Sequence, residues 1–273
     1  MVALRFYSTG SFYLAIADFS GISKMSAQSI ILRVSTAIAA LRNEYIKLLS
    51  TLEEIQVTKQ EFFQAAKFIR IIGFIDCTHI KIQSCGGNDG ELYCNRKGHF
   101  SINTQVVVNA KLEILDIVAR WPGSTHDSTI FDHSRIKTLF EMGRFGDGVL
   151  LGDAGYPNLP YVMTPLLNPT TAAEHLYNEA QIRTRSKVER FFGIWKRKFP
   201  ILMYGMRFLR IERTLTVIVA TAVLHNILIS EMYQKPNTGQ VYNDAIQQIQ
   251  NANTRNINDQ RQRLILEYFE RLI

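Results

Sequence analysis

The stretch Ile71-Ile72-Gly73-Phe74-Ile75-Asp76, continued through Ile80 and Ile82, constrains the fold of this chain more than any other segment. A continuous apolar run of this length, rich in β-branched residues, predicts a central strand buried on both faces. Asp76 stands inside it. An isolated ionised carboxylate there would cost many kcal/mol, so something must pair with it. An arginine or a backbone network is one answer, and a divalent cation held by several carboxylates is the other.

The rest of the chain supplies partners for that strand. Ser101 to Ala110 and Leu112 to Arg120 read as two more strands joined by a short Asn-Ala-Lys turn, hence a hairpin. After Pro122-Gly123 a helical stretch runs to about Phe140. A short strand, Gly148 to Leu151, then enters Gly152-Asp153-Ala154-Gly155-Tyr156-Pro157. Asn178 to Phe199 reads as one helix, and Thr214 to Tyr233 as an almost wholly apolar helix that must be buried. Upstream, helical spacing from Ser11 to about Leu49 breaks at Ser20-Gly21-Ile22 and resumes at Met25. Such a pair fits a helix-turn-helix whose second helix, about Ser26 to Leu41, enters a major groove; it also fits a plain structural helical pair. The expected organisation is a helical region over 1–50, a connecting helix over 51–70, a mixed α/β domain over 71–235, and a polar Asn/Gln-rich tail over 236–273 that ends in an amphipathic helix from about Asp259.

Charge narrows the function. The formal net charge is +7, and Arg183 to Arg213 holds ten basic residues against Glu189 and Glu212, a local excess of +8. Clustered cations are what a protein that neutralises phosphates needs, so nucleic acid is the favoured partner over a solvated helix face or an anionic membrane. The candidate DNA contacts are Arg183, Arg185, Lys187, Arg190, Lys196, Arg197 and Lys198. Read from the sequence, no apolar run reaches the roughly 18 to 20 residues that cross a bilayer, and the start lacks a signal peptide's basic region and cleavage site, so no membrane partner is expected. Cys77, Cys85 and Cys94 match no zinc spacing and read as reduced, non-ligating thiols.

Two further carboxylates bear on Asp76. Asp153 follows directly on a buried strand between Gly152 and Gly155, and strand ends are where open sheets gather their active sites. Taken singly, it could be a turn former. Glu189 lies on a helix whose packed stripe is read as Val188, Phe192, Trp195 and Phe199, with Arg185, Glu189, Gly193 and Lys196 alongside. Its modest reading is a surface ion pair with Arg185. Together, Asp76, Asp153 and Glu189 match the oxygen-only donor set that favours Mg²⁺ or Mn²⁺ in phosphodiester chemistry. His79 and His126, beside these acids, read as structural histidines.

Six stretches then carry a resemblance: GFIDCTHI (Gly73 to Ile80), YCNRKGHFSINTQ (Tyr93 to Gln105), ARWPGSTHDSTIF (Ala119 to Phe131), LLGDAGYP (Leu150 to Pro157), RSKVERFFGIWKRKFP (Arg185 to Pro200) and AVLHNI (Ala222 to Ile227). In this order they resemble the PIF/Harbinger superfamily of DNA transposases and the host nuclease-like proteins derived from them. The resemblance implies an RNase H-like mixed sheet flanked by helices, behind a small helix-turn-helix-like N-terminal domain. It implies a DDE triad of Asp76, Asp153 and Glu189 that holds Mg²⁺ or Mn²⁺, with Asp127 as a further acidic residue at the metal site. The function it implies is DNA cleavage, with strand joining as an extension, at transposon ends in the nucleus, the cytoplasm being a second compartment. An accessory DNA-binding protein and an oligomer are compatible with it. Members begin further upstream, so a shortened N-terminus is expected here. The alternative is a domesticated, catalytically silent DNA-binding or scaffolding protein; an RNA-cutting hydrolase fits the resemblance less well.

Overall fold

The structure is a computed structural model that describes residues 1–84, 86, 90–208, 210–232 and 259–273. The Asn/Gln-rich part of the expected tail and Cys85 lie outside the described residues.

Five strands form one mixed sheet in the order β3-β2-β1-β4-β5: β1 (Ile71–Lys81), β2 (Ser101–Val108), β3 (Ile114–Pro122), β4 (Val149–Leu151) and β5 (Val162–Met163). β1 runs antiparallel to β2 and parallel to β4; β2 pairs antiparallel with β3, and β4 parallel with β5. The expected hairpin is therefore present. Its turn is held by Asn109, whose Oδ1 accepts from the amides of Lys111 and Glu113, while Leu112 takes a left-handed φ of 70°. β5 is too short for a periodicity argument and had no counterpart in the sequence reading.

A register shift near Gly73 sets the faces of β1. Side chains alternate along a strand, yet Ile71 and Phe74 belong to the same core cluster, while Ile72 and Ile75 belong to the other. One extra residue at Gly73 reconciles this, because a one-residue shift moves everything after it to the opposite face. Gly73 is required there: a Cβ would come within 2.8 Å of Val107 Cγ1 and 3.1 Å of Leu150 Cδ2. The consequence is that Asp76 shares a face with Phe74 and Ile80.

The helices preceding the sheet are α1 (Val2–Thr9), α2 (Tyr13–Ser20), α3 (Lys24–Ala40), α4 (Arg42–Tyr45) and α5 (Leu52–Ala66). α2 ends on Gly21 in the left-handed region, and the Ser23 hydroxyl caps α3 by accepting from the Ser26 amide, which gives the tight turn. The helical stretch after Pro122 divides into α6 (Asp127–Asp132) and α7 (Arg135–Glu141). α8 (Ala172–Lys198) starts six residues before the expected Asn178, at a capping box of Thr171 and Glu174. Its buried stripe runs Tyr177, Ala180, Thr184, Val188, Phe191 and Trp195. Val188, Trp195 and Phe199 are buried as read, but between them it is Phe191 that is fully buried and Phe192 only partly so; helical spacing puts either residue within a turn of both Val188 and Trp195.

α9 (Ile201–Tyr204) leads to α10 (Ile211–Met232), which corrects another expectation: by length and composition α10 is apolar enough to cross a bilayer. It packs against α3, α4 and β3. Buried polar side chains fix it there. His225 Nε2 hydrogen-bonds the Leu112 carbonyl at 2.8 Å; Asn226 accepts from the Ile114 amide and donates to the carbonyls of Ile114 and Tyr45. A terminal helix, Gln260–Glu267, closes the described chain. One large core cluster runs from Ala3 to Phe269 and so takes in the N-terminal helices, the sheet and the terminal helix.

Candidate active site

β4 pairs with β1 only as far as Phe74 opposite Leu151. Beyond that point β1 continues along β2 alone, and a notch opens beside it. Asp76 projects at this notch from mid-strand, inside the run as expected; what ends there is the parallel pairing. Asp153 enters two residues after β4, and α8 supplies the third wall with Gln181, Arg185 and Val188.

The carboxyl of Asp76 accepts a hydrogen bond from the Cys77 amide at 2.7 Å. Its pKa is nonetheless pushed up to about 7. Burial is the main cause; the negative charges of Asp153 and Asp127 add to it, and the Cys77 amide and the Arg185 guanidinium oppose it. Asp153 also does the work of a turn former, its Oδ1 accepting from the Gly155 amide at 2.9 Å. Asp127 opens α6 and is held by Asn103, whose Nδ2 donates to Asp127 Oδ1 at 2.8 Å and to the Thr125 carbonyl at 2.9 Å. Asp76 thus feels the charge of both Asp153 and Asp127.

Glu189 stands apart from them. Its side chain is 66% exposed and its partner is Arg185, with Nε to Oε1 at 3.7 Å. Arg185 itself lines the notch, so it links the exposed glutamate to the half-buried Asp76 and Asp153. Among the described residues, no group of three or more His, Cys, Asp or Glu side chains already stands in metal-holding geometry. The donor chemistry still fits a divalent cation: two carboxylates raise the cost of ionising Asp76, one arginine offsets it, and buried polar atoms on the neighbouring strand (Asn103 Oδ1, Thr104 Oγ1 and both side-chain atoms of Gln105) lack a hydrogen-bond partner.

Around the notch, Cys77 Sγ lies 3.3 Å from the Tyr156 hydroxyl, and burial pushes both the thiol and the phenol up, which keeps them neutral. Cys77 and Cys94 are free. His79 Nδ1 meets Ser101 Oγ at 3.0 Å, and burial lowers its pKa. Asn95 donates to the same hydroxyl at 3.0 Å. Gly123 allows the following loop to lie on this cluster, since a Cβ would come within 2.4 Å of Ser101 Oγ. His126 contacts the guanidinium of Arg96. The fixing roles of Asn103 and Ser101 were missed in the sequence, although both lie in the quoted SINTQ segment; a polar residue inside an apolar strand was the available signal.

The basic helix is not uniform. Arg190 and Arg197 are exposed, Arg183 pairs with Glu179 at 3.1 Å, and Lys187 is half-buried with its pKa lowered by burial and by Arg190. Lys196 turns inward: Nζ donates to Thr78 Oγ1 at 2.6 Å and to the His79 carbonyl at 3.2 Å, closing the flank of β1 that β4 leaves uncovered. Burial, then Lys81, pushes its pKa down to about 8. Lys196, Arg197 and Lys198 also occupy the last turn of α8, where cations complement the helix dipole whatever else they do.

Comparison with known proteins adds a family. Residues 75–226 match the model described as DDE superfamily endonuclease. A human protein named "Putative nuclease HARBI1" is 32% identical over 244 residues, covering 88% of this chain and 70% of the relative. Its namesake in Bos taurus is 32% identical over 246 residues with the same coverage. An Arabidopsis thaliana protein named Protein ALP1-like is 25% identical over 243 residues, 84% of this chain and 59% of the relative. No solved structure matches. The matched segment opens at the strand bearing Asp76 and closes on Asn226, so the notch and the helix that ties down the hairpin fall within one unit: the chain belongs to the DDE superfamily endonucleases, in the Harbinger-derived nuclease family.

Proposed function

We propose that this protein is a metal-dependent DNA endonuclease that cuts, and in its fullest form joins, DNA at transposon ends. The observation that carries the reading is Asp76: a largely buried carboxyl with two other carboxylates near it, raised to about 7, is a place where a divalent cation would offset the charge. The strand order β3-β2-β1-β4-β5, with only β2 antiparallel to β1, supports an RNase H-like architecture. The α2-turn-α3 pair supports a helix-turn-helix reading of the N-terminal region, within the four-part organisation expected from the sequence.

Asp76 and Asp153 would hold the cation, with Asp127 steadied by Asn103 beside them and Glu189 joining after its arginine releases it. Mg²⁺ or Mn²⁺ bound there would supply Lewis acidity to the attacking and leaving oxygens of a phosphodiester, the work of a two-metal site. The protein's own contributions are positional. β1 fixes Asp76, the Gly155 amide orients Asp153, and the exposed cations of α8 would hold the phosphate backbone without reading bases. Residence in the nucleus and an accessory DNA-binding protein belong to this proposal.

A second reading has a specific observation in its favour. Glu189 is occupied by Arg185 on the surface, as a silent DNA-binding or scaffolding descendant would have it. Incubating the protein with transposon-end DNA in Mg²⁺, Mn²⁺ or EDTA separates the two. Cleavage that EDTA and Asp76→Asn abolish supports the nuclease; DNA binding without cleavage under either cation supports the silent protein.

A further inference from the structure

We infer that a trough beside the end of β1, distinct from the carboxylate notch, binds single-stranded DNA by stacking bases on Phe12 and Tyr204. The inference rests on the reading that this protein handles DNA.

Two adjoining cavities of about 550 and 340 Å³ form the trough and share Gln83, Gly205 and Arg207. Neither contains any of the carboxylates discussed above. Phe12 on the wall is 63% exposed and Tyr204 is 62% exposed, two aromatic faces open to a ligand. Arg207 lies over the Phe12 ring with its guanidinium carbon 4.0 Å from the centroid. Exposed Lys24 and Lys81 complete the lining's cations, against one acid, Asp18.

Tyr204 is held in place by its surroundings. Tyr204 rests on Gly10, where a Cβ would come within 3.0 Å of its ring. The segment after it is stitched to β1, the Met206 amide donating to the Lys81 carbonyl and the Gln83 amide to the Met206 carbonyl, both at 2.9 Å. Exposed aromatic faces interleaved with cations are what non-specific single-strand binding uses, since every base has a π-face and every linkage a negative charge. An apolar protein helix would use the rings but would leave the three cations without partners, so the lining's charge favours a polyanion. Lys81 is five residues beyond Asp76, on the order of 17 Å along the strand at roughly 3.4 Å per residue. The trough would thus take strand flanking the bond presented at the notch. Arg207 was one of the ten clustered bases that the α8 reading left without a role.

The test is performed on full-length protein carrying Asp76→Asn, so that cutting cannot interfere, with a mixed-sequence single-stranded oligonucleotide and its duplex followed by fluorescence anisotropy. Stacking is worth about 1 to 3 kcal/mol per base, so Phe12→Ala with Tyr204→Ala should weaken single-strand binding at least tenfold and change duplex binding less than threefold. Arg207→Ala, which leaves both rings in place, should also weaken the single strand and reduce its salt slope by about 0.7. Photocrosslinking of iodouracil-substituted single strand to the parent protein should fall on Phe12 or Tyr204, a readout that needs no ring variant to fold. Unchanged single-strand affinity in these variants, equal loss on duplex, or crosslinks only elsewhere would overturn the inference. Cleavage with no single-strand binding at the trough defeats the trough alone, and trough binding without cleavage in wild type defeats the nuclease alone.

Discussion

The aspartates and the glutamate of the candidate triad are held in opposite ways. Asp76 and Asp153 belong to the sheet: one projects from β1 where the pairing with β4 stops, the other from the turn leaving β4, and the Cys77 and Gly155 amides grip them. Glu189 rides on the outside of α8, exposed and paired with Arg185. On the proposed reading the sheet would supply donors whose closeness carries an electrostatic cost at Asp76, and the helix would supply one that costs nothing until it is needed. A site divided in this way keeps its expense where the backbone is rigid and its freedom where a side chain can turn.

The sharpest way to break this contrast is at the chemistry. Asp76→Asn and Asp153→Asn should each abolish cleavage, a loss of a thousandfold or more, and Glu189→Gln should lose orders of magnitude while DNA affinity holds or tightens, since less negative charge then faces the phosphates. Cleavage and anisotropy measured side by side decide it: unchanged cleavage in Glu189→Gln removes the helix residue from the site and leaves its cost at the few tenths of a kcal/mol of a surface pair.

Stability should separate the same residues in the other direction. The folded pKa of Asp76, about 7, lies above its ordinary 3.8, so its contribution is fully present below pH 3.8 and is lost as pH rises through 7. At pH 8 without divalent cation, Asp76→Asn should therefore stabilise the fold, by at most about 4 kcal/mol at 1.36 kcal/mol per unit. Mn²⁺ should raise the melting temperature of wild type more than that of the variant. A destabilised variant at pH 8 would show that Asp76 is paired more fully than its surroundings imply.

His225 makes the opposite case. Burial pushes its pKa down to about 4 from 6.5, so its contribution is present above pH 6.5 and lost as pH falls through 4, about 3 kcal/mol in all. Between pH 4 and 6.5 the two groups oppose each other. Urea midpoints should show Asp76→Asn exposing the acid-side loss that His225 causes and His225→Gln exposing the acid-side gain from Asp76; parallel profiles in both variants would refute the pairing.

The smallest effect concerns α8. Arg190→Ala and Arg197→Ala should weaken binding to all DNA sequences alike and reduce the salt slope by about 0.9 each. Lys196→Ala should act mainly on stability, because its ammonium serves Thr78 and His79. A slope change in Lys196→Ala as large as in Arg197→Ala would contradict the inward assignment.

Much of this is legible in the sequence. The long run at Ile71 to Ile82 announced the central strand, and alternating segments announced the hairpin, because burial on both faces and pairing of neighbours leave strong local patterns. Faces and partners were not legible. The shift at Gly73 depends on Val107 and Leu150 across the sheet, and Asp127 depends on Asn103, twenty-four residues away. The early start of α8 was available in Thr171 and Glu174 as a capping box and was missed. For Glu189, sequence could name both partners and not choose between them, since four-residue spacing on a helix serves an ion pair and an active site equally.

One side chain in α10 has a historical consequence. Asn226 serves both backbone groups of Ile114 and the carbonyl of Tyr45 at once. Any recombination that exchanged the first fifty residues for a foreign segment would have to bring a carbonyl to that same point, or leave a buried amide unanswered. The N-terminal helices and the sheet are therefore expected to have been inherited together, and descendants that abandon cutting should still keep this asparagine.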